Sequence, residues 1–309
     1  MKLIRGLHNL PADWSGSVVT IGNFDGLHRG HQSLIAECRS LAKRYDVPSV
    51  LMTFEPYPQA FFSNDERMPR LTSFRDKFLV LETLGIDYLL VLPFNASLAS
   101  LSADDFMQTI LLDRLKAKAV VVGDDFVFGA KRSGDFSVLK LFAEQHVIEA
   151  IQMPTLKFNN ERISSSRLRK ALSESDLVLS ENLLSRPYAL SGCVVKGDQR
   201  GREFGFPTAN VYVGQKKLPL SGIYVVEVEG VAPQALPGVA SVGYRPMYPT
   251  EKDVLEVYLL DFDQDIYKQH CHVTFLKYLR GEMQFPSEEA LIDQIKLDVD
   301  QTRQYFEAQ

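Results

Sequence analysis

Cysteine is scarce in this 309-residue chain: Cys38, Cys193 and Cys271 are odd in number and far apart. That spacing suits reduced thiols better than a disulfide framework or a zinc cluster, so oxidation chemistry is not expected. Long hydrophobic runs are missing as well. The longest, 88–94, is interrupted by Pro93 and falls far short of the ~18 residues that read as a membrane span. Arg5 and His8 stand where a secretory leader would be uninterruptedly apolar, and no small-residue cleavage site follows, so a cytoplasmic chain is expected. There is no surplus of positive charge: 34 Lys+Arg face 39 Asp+Glu, a formal net charge of −5, and neither side of residue 184 is basic. A nucleic-acid partner is therefore not expected, nor a membrane one. A small anion held by a few local cations remains compatible. No signature recurs at the roughly 20 to 50 residue period of repeat arrays.

What is present is an ordinary globular composition, 45% hydrophobic and 24% charged, with length enough for two domains. In the first part, β-rich runs at 17–21, 49–54, 88–92, 119–122 and 148–153 alternate with helical patterns at 31–45, 73–84, 102–115 and 137–146. That alternation predicts a parallel sheet flanked by helices. Ser73 with Asp76, and Ser102 with Asp105, have the three-residue spacing of a helix start. Two short helices follow at 164–173 and 176–184, and the boundary is placed there, giving domains 1–184 and 185–309. Beyond it, six strand-like segments at 188–195, 208–213, 222–228, 239–242, 255–261 and 271–279 predict a small antiparallel barrel. An amphipathic helix over 287–306, with Leu291, Ile292, Ile295 and Val299 on one face, is expected to pack on it.

The stretch Thr20-Ile-Gly-Asn-Phe-Asp-Gly-Leu-His-Arg-Gly-His31 directly follows the first buried strand and opens the first helix. Gly22, Gly26 and Gly30 permit close backbone approach, and a helix start offers unpaired N–H groups to an anion. His28 and His31, three apart, would project to one side as paired donors for phosphate oxygens. Ordinary surface histidines on a Gly-rich turn are the plainer alternative, disfavoured by the glycines on both sides and the buried strand before them.

This stretch resembles the His-x-Gly-His signature of the nucleotidylyltransferases. Phe54-Glu-Pro-Tyr-Pro58, Val122-Gly-Asp-Asp-Phe-Val-Phe-Gly129 and Ile163-Ser-Ser-Ser-Arg-Leu-Arg169 resemble, in order and spacing, the adenylyltransferase half of bacterial bifunctional riboflavin kinase/FAD synthetases. The resemblance implies ATP or flavin contacts at Gly22, Asn23, Phe24, Asp25, Gly30 and Asp125, and also at Ser164, Ser165 and Arg167, with catalytic roles for His28, His31 and Arg169. Arg167 and Arg169 have the chemistry to clamp the β and γ phosphates as pyrophosphate leaves. Tyr57 is a departure, standing where the family usually has histidine.

In the second part, Gly192-Cys-Val-Val-Lys-Gly-Asp-Gln-Arg-Gly-Arg-Glu-Phe-Gly-Phe-Pro-Thr-Ala-Asn210 resembles the ATP loop and Pro-Thr-Ala-Asn motif of riboflavin kinases. Pro219-Leu-Ser-Gly-Ile-Tyr224, Leu255-Glu-Val-Tyr-Leu-Leu-Asp-Phe262 and Phe275-Leu-Lys-Tyr-Leu-Arg-Gly-Glu282 follow in family order. Glycines 197, 201 and 205 allow a loop close to phosphates, and Lys196, Arg200 and Arg202 supply cations. Thr208 and Asn210, two apart, face one side of an extended strand and offer neutral oxygens that suit Mg²⁺. The resemblance assigns them that role, Glu256 the general base, and Lys196, Gly197, Arg202, Gly205, Pro207 and Arg280 ligand contacts. By pattern alone, a glutamate in an apolar strand is also an outward solvent contact. Ser241, Met247, Tyr258 and Gln284 depart from the family pattern, so the kinase step rests on less than adenylyl transfer does.

The fold implied is a nucleotidyltransferase-like, Rossmann-like parallel α/β domain, then a riboflavin-kinase-like six-stranded β-barrel with a C-terminal helix. The activity implied is riboflavin to FMN and FMN to FAD, with ATP as co-substrate and Mg²⁺ as cofactor, in a monomer or weak oligomer. Three side readings remain. His270 and His272 flank Cys271 on alternating faces, which disfavours a metal site. Trp14, Phe61 and Phe62 could form a stack for a flavin ring, pack in the core or lie on a mobile loop. Asp124 and Asp125 could lie near a ligand or cap a helix.

Overall fold

All five residues of Ser17–Ile21 are buried, and this strand is the centre from which the N-terminal sheet is built. The computed structural model describes residues 1–63, 69–197, 201, 204–215, 217–244 and 253–308. Two compact units emerge, Met1–Asp65 with Lys77–Ile163, and Glu66–Asp76 with Ser164–Gln309. In chain order the first elements are β1 (Lys2–Arg5), β2 (Ser17–Ile21), α1 (Arg29–Tyr45), β3 (Ser49–Glu55), α2 (Pro58–Ser63), α3 (Phe74–Thr83) and β4 (Tyr88–Pro93). Next come α4 (Ala96–Ser100), α5 (Ala103–Asp105), β5 (Ala117–Gly123), α6 (Phe136–Gln145), β6 (Glu149–Met153) and a hairpin of β7 (Lys157–Phe158) and β8 (Glu161–Arg162).

The sheet of the first unit is parallel throughout, in the order β1-β4-β3-β2-β5-β6. Strands after β2 are added first on one side and then, from β5, on the other. The crevice beyond the carboxyl ends of β2 and β5 is thus the switch point where such sheets bind ligands. Val18, Val19, Leu51, Met52, Val120 and Val121 are all 1% exposed or less, which explains the nearly continuous apolar runs in the sequence. The expected helix over 102–115 is present but starts as α5 and continues as a π-helix over Phe106–Arg114. Ser102 Oγ accepts the Asp105 N–H at 3.0 Å, as its spacing predicts. The edge strand β1 was not read from the sequence.

The second unit continues with α7 (Ser165–Ser173), α8 (Leu177–Leu184), β9 (Ala189–Val195), β10 (Thr208–Tyr212), β11 (Gly222–Glu229), β12 (Leu236–Tyr244), β13 (Asp253–Leu259), β14 (His270–Arg280) and α9 (Glu288–Glu307). Its six strands close into an antiparallel barrel in the order β10-β13-β12-β11-β14-β9. Closure removes the exposed edges of the sheet. Leu190, Tyr224, Val242, Leu255, Val273 and Phe275 are 2% exposed or less. Tyr224 keeps its hydroxyl satisfied by donating to Ser221 O at 2.8 Å, with Ser175 Oγ at 2.9 Å. Helix α9 packs on β12 and β11.

Candidate active sites

Between β2 and α1 the chain makes a turn with positive φ at Phe24 (49°), Gly26 (87°) and Leu27 (49°). Phe24 and Leu27 are buried at 1% and 0% exposure. Non-glycine residues hold this conformation where the surroundings over-determine it. Here the Gly22 N–H donates to Met52 O at 3.1 Å, and the Asn23 carbonyl accepts Thr53 Oγ1 at 3.3 Å and Lys77 Nζ at 2.6 Å. Tyr57 takes part as well: its hydroxyl accepts from Lys77 Nζ at 2.9 Å and lies 3.4 Å from Asp25 Oδ1.

His28 caps α1, its Nδ1 accepting the His31 N–H at 3.3 Å. With Nδ1 engaged as acceptor, the proton of the neutral ring sits on Nε2 as a donor. The two imidazoles stack with centroids 3.7 Å apart and planes 15° from parallel. His31 Nδ1 is buried without a hydrogen-bond partner. Burial above all, then His28 and Lys77, hold His31 well below the ordinary histidine pKa, so the His31 ring is held as a neutral hydrogen-bond donor. A Cβ on Gly30 would come within 3.2 Å of the His28 ring, and one on Gly22 within 3.3 Å of Phe24; glycine leaves room for these rings.

Asp124 and Asp125 follow β5, where Arg162 Nη2 reaches their carboxylates at 2.9 and 2.8 Å. The following helical caps are Gly129 and Asp135, so the aspartate pair binds an arginine and does not cap a helix. The Trp14, Phe61, Phe62 grouping does not hold together, although core packing, one of its readings, holds for Trp14. Trp14 is a core residue, donating from Nε1 to Leu115 O at 3.0 Å and meeting Tyr88 edge-on. Phe61 and Phe62 gather instead with Phe94, 5.4 and 5.7 Å away. Sequence adjacency to a loop could not reveal that Trp14 tucks under a distant helix end.

In the second unit Ser164 caps α7, accepting the Arg167 N–H at 3.2 Å. Arg169 Nε donates to Pro69 O at 2.8 Å. On the barrel, β10 and β13 are paired so that Asn210 opposes Glu256 and Thr208 opposes Tyr258, while Ser241 of β12 opposes Glu256 from the other side. Direct partners in an antiparallel pair share a face. Leu255, Val257 and Leu259 point into the barrel and half-buried Glu256 lies on its outer wall, beside Asn210 and Thr208. Gly197 lies over Asn210 so closely that a Cβ there would be 2.2 Å from Asn210 Nδ2. Gly205 has a φ of 84°, which favours glycine. Lys196 and Pro207 are exposed, and Arg202 and Met247 lie outside the described residues. A hydroxyl, an amide and a carboxylate on one face fit a hard cation that also binds phosphate oxygens and water. Tyr258 packs edge-on against Phe206 at 5.4 Å, and Gln284 is exposed. Arg280 is held against α9, its Nη2 2.7 Å from Asp298 Oδ2.

Lys77 was not singled out from the sequence, although a signal existed. With Phe74, Phe78 and Leu81 it forms an i, i+3, i+4, i+7 stripe, which places it on the apolar face of its helix.

A histidine-capped helix start at the switch point of a parallel sheet, and a closed barrel with an oxygen-rich outer wall, define a chain of two nucleotide-dependent transferase folds. Residues 10–167 match the FAD synthetase family and residues 184–306 the riboflavin kinase family. The chain is 42% identical over 307 residues to the bifunctional riboflavin kinase/FMN adenylyltransferase of Escherichia coli (strain K12), covering 99% of this chain and 98% of that one. It is 43% identical over 302 residues to the protein of the same name from Pseudomonas fluorescens, with 97% and 96% covered. A crystal structure described as macrolide-efflux protein from Streptococcus pneumoniae superposes with a TM-score of 0.85 at 31% identity, over 98% of this chain and 99% of that one. Among the described residues, no helix here is long and apolar enough to cross a membrane. The chain belongs to the bifunctional riboflavin kinase/FMN adenylyltransferase family, and both enzymatic domains are present in it.

Proposed function

We propose that this chain phosphorylates riboflavin to FMN with ATP through its kinase domain and adenylylates FMN to FAD, releasing pyrophosphate, through its N-terminal domain. The observation that carries the reading is the stacked His28–His31 pair at the start of α1. In the adenylyl step a phosphate oxygen of FMN attacks the α phosphorus of ATP, and the bond to the bridging oxygen of pyrophosphate breaks. Negative charge grows on the leaving group, where preorganised hydrogen-bond donors and a helix N-terminus stabilise it more than they do the ground state. No covalent enzyme intermediate is needed. Gly22, Asn23, Phe24, Asp25, Gly30 and Asp125 are assigned to ATP or flavin. The family motif assigns Ser164, Ser165, Arg167 and Arg169 to the ATP phosphates.

In the kinase step Glu256 takes the proton of the riboflavin 5′ hydroxyl as that oxygen attacks the γ phosphorus of ATP, and the bond to the β–γ bridging oxygen breaks to release ADP. Thr208 and Asn210 would hold Mg²⁺, which when bound neutralises charge on the nucleotide phosphates. The cross-strand pairing of Asn210 with Glu256 supports both roles. Lys196, Gly197, Arg202, Gly205 and Pro207 are assigned to the nucleotide loop. The functional division is 1–184 and 185–309, in a cytoplasmic protein.

The test is chromatography of products from the purified full chain with Mg-ATP. FMN should form from riboflavin and FAD from FMN. Glu256→Gln should lower FMN formation while leaving FAD formation from supplied FMN intact. Production of neither nucleotide by the unaltered protein would overturn the reading.

A further inference from the structure

Lys77 is 2% exposed. An ammonium group taken out of water costs several kcal/mol unless its surroundings compensate it, so its placement demands a reason. Its Nζ donates to Asn23 O at 2.6 Å and to the Tyr57 hydroxyl at 2.9 Å, and lies 4.7 Å from the centre of the Tyr57 ring. Tyr57 in turn touches Asp25, itself 2% exposed. Lys77 thus fastens residues 23 and 25 of the turn whose next residues are Phe24, Gly26 and Leu27 at positive φ. Phe24 meets the His31 ring at 5.1 Å. A short physical chain therefore runs from Lys77 through Asn23 and Phe24 to the histidine pair.

We propose that Lys77 is a positioning residue for adenylyl transfer, fastening the turn between β2 and α1 through Asn23 and through the Tyr57–Asp25 pair so that His28 and His31 stay stacked at the helix start. The inference rests on the assignment of adenylyl transfer to those histidines. The Tyr57 hydroxyl, at a position where the family usually has histidine, is part of this device. The charge of Lys77 acts in the same direction as the geometry. Alongside burial and His28, it disfavours protonation of His31 and keeps that ring a neutral donor.

The test compares the full chain with Lys77→Met, Lys77→Arg and Tyr57→Phe, measuring FAD formation from FMN over pH and FMN formation from riboflavin as an internal control. Lys77→Met should lower kcat for FAD formation about tenfold or more with KM values for FMN and ATP little changed, and leave FMN formation intact. The acidic limb of the FAD-forming profile should move to higher pH, because removing a nearby positive charge makes His31 easier to protonate. Lys77→Arg should restore the limb and part of kcat, and Tyr57→Phe should give a smaller loss of kcat. An unaltered kcat in Lys77→Met, or a lowered kcat with an unmoved acidic limb, overturns the proposal. If Lys77→Met does not fold, Lys77→Arg and Tyr57→Phe decide: undiminished kcat in both overturns it. His28→Ala separates the two levels. If His28→Ala still forms FAD at the unaltered rate, the assignment beneath the proposal fails; if it does not while Lys77→Met does, the proposal alone fails.

Discussion

His28 accepts the backbone N–H of His31 on its own Nδ1 at 3.3 Å while the two rings lie stacked at 3.7 Å. One side chain thereby caps a helix and, in its neutral form, carries the ring proton on Nε2. The capping and chemical duties can be separated. His28→Asn keeps a side-chain acceptor for the cap, whereas His28→Ala loses it at about 1 kcal/mol. Both should lose about 100-fold or more in FAD formation, as expected when one transition-state donor is removed. Urea unfolding should distinguish the variants and the assay should not. Recovery of FAD formation in His28→Asn would reduce His28 to a cap.

The lowered pKa of His31 ties stability to pH. Burial, then His28 and Lys77, make the folded ring give up its proton at a lower pH than the unfolded chain does. Between that lowered value and about 6.5, the unfolded state binds more protons, so stability falls on acidification, by at most about 1.4 kcal/mol per pH unit from one group. Above about 6.5 this contribution is fully present. Urea melts at about pH 5.5, 6.5 and 7.5 should show the slope, and His31→Gln, a donor that does not titrate, should flatten it.

The parallel sheet was legible because strands buried on both faces read as nearly continuous apolar runs, as at Leu89, Leu90, Val91 and Leu92 of β4, all buried. Strand β1 escaped because its four residues lie at an edge with mostly exposed side chains. Strand β12 runs through Pro237 and Gly238 to Leu236, two residues that read locally as breakers. Gly26 and Gly30 marked the tight turn around His28, since close backbone approach leaves a compositional trace. Arg162 with Asp124, and Lys77 with Asn23, join residues 38 and 54 apart; pairings at such separations leave no trace in local pattern.

Arg280 carries a mechanical duty in addition to any ligand contact. Asp298, buried on α9, accepts its Nε at 3.0 Å and its Nη2 at 2.7 Å, and Gln294 Nε2 at 3.0 Å. Asp298→Ala would leave a largely buried guanidinium uncompensated, a change that costs about 3 kcal/mol when an ion pair loses one partner. The expected result is a lower denaturation midpoint for FMN-forming activity with little change in KM for ATP below it. Replacing both partners with apolar residues, Arg280→Met with Asp298→Leu, should recover much of the loss.

Gly197 tests the outer wall of the barrel without touching an assigned metal or base position. Its backbone does not require glycine through a positive φ, so the constraint is one of space: an added Cβ would lie 2.2 Å from Asn210 Nδ2 and 2.5 Å from Asn210 Cγ. Asn210 would have to swing away from the face it shares with Thr208 and Glu256. Gly197→Ala is therefore expected to lower FMN formation about tenfold or more, to raise the Mg²⁺ concentration needed for half-maximal rate, and to leave FAD formation from supplied FMN unchanged. Adding Asn210→Ala should then cost little further, because the same amide is already displaced. Full FMN formation by Gly197→Ala would show that the position of the Asn210 side chain does not limit the kinase step.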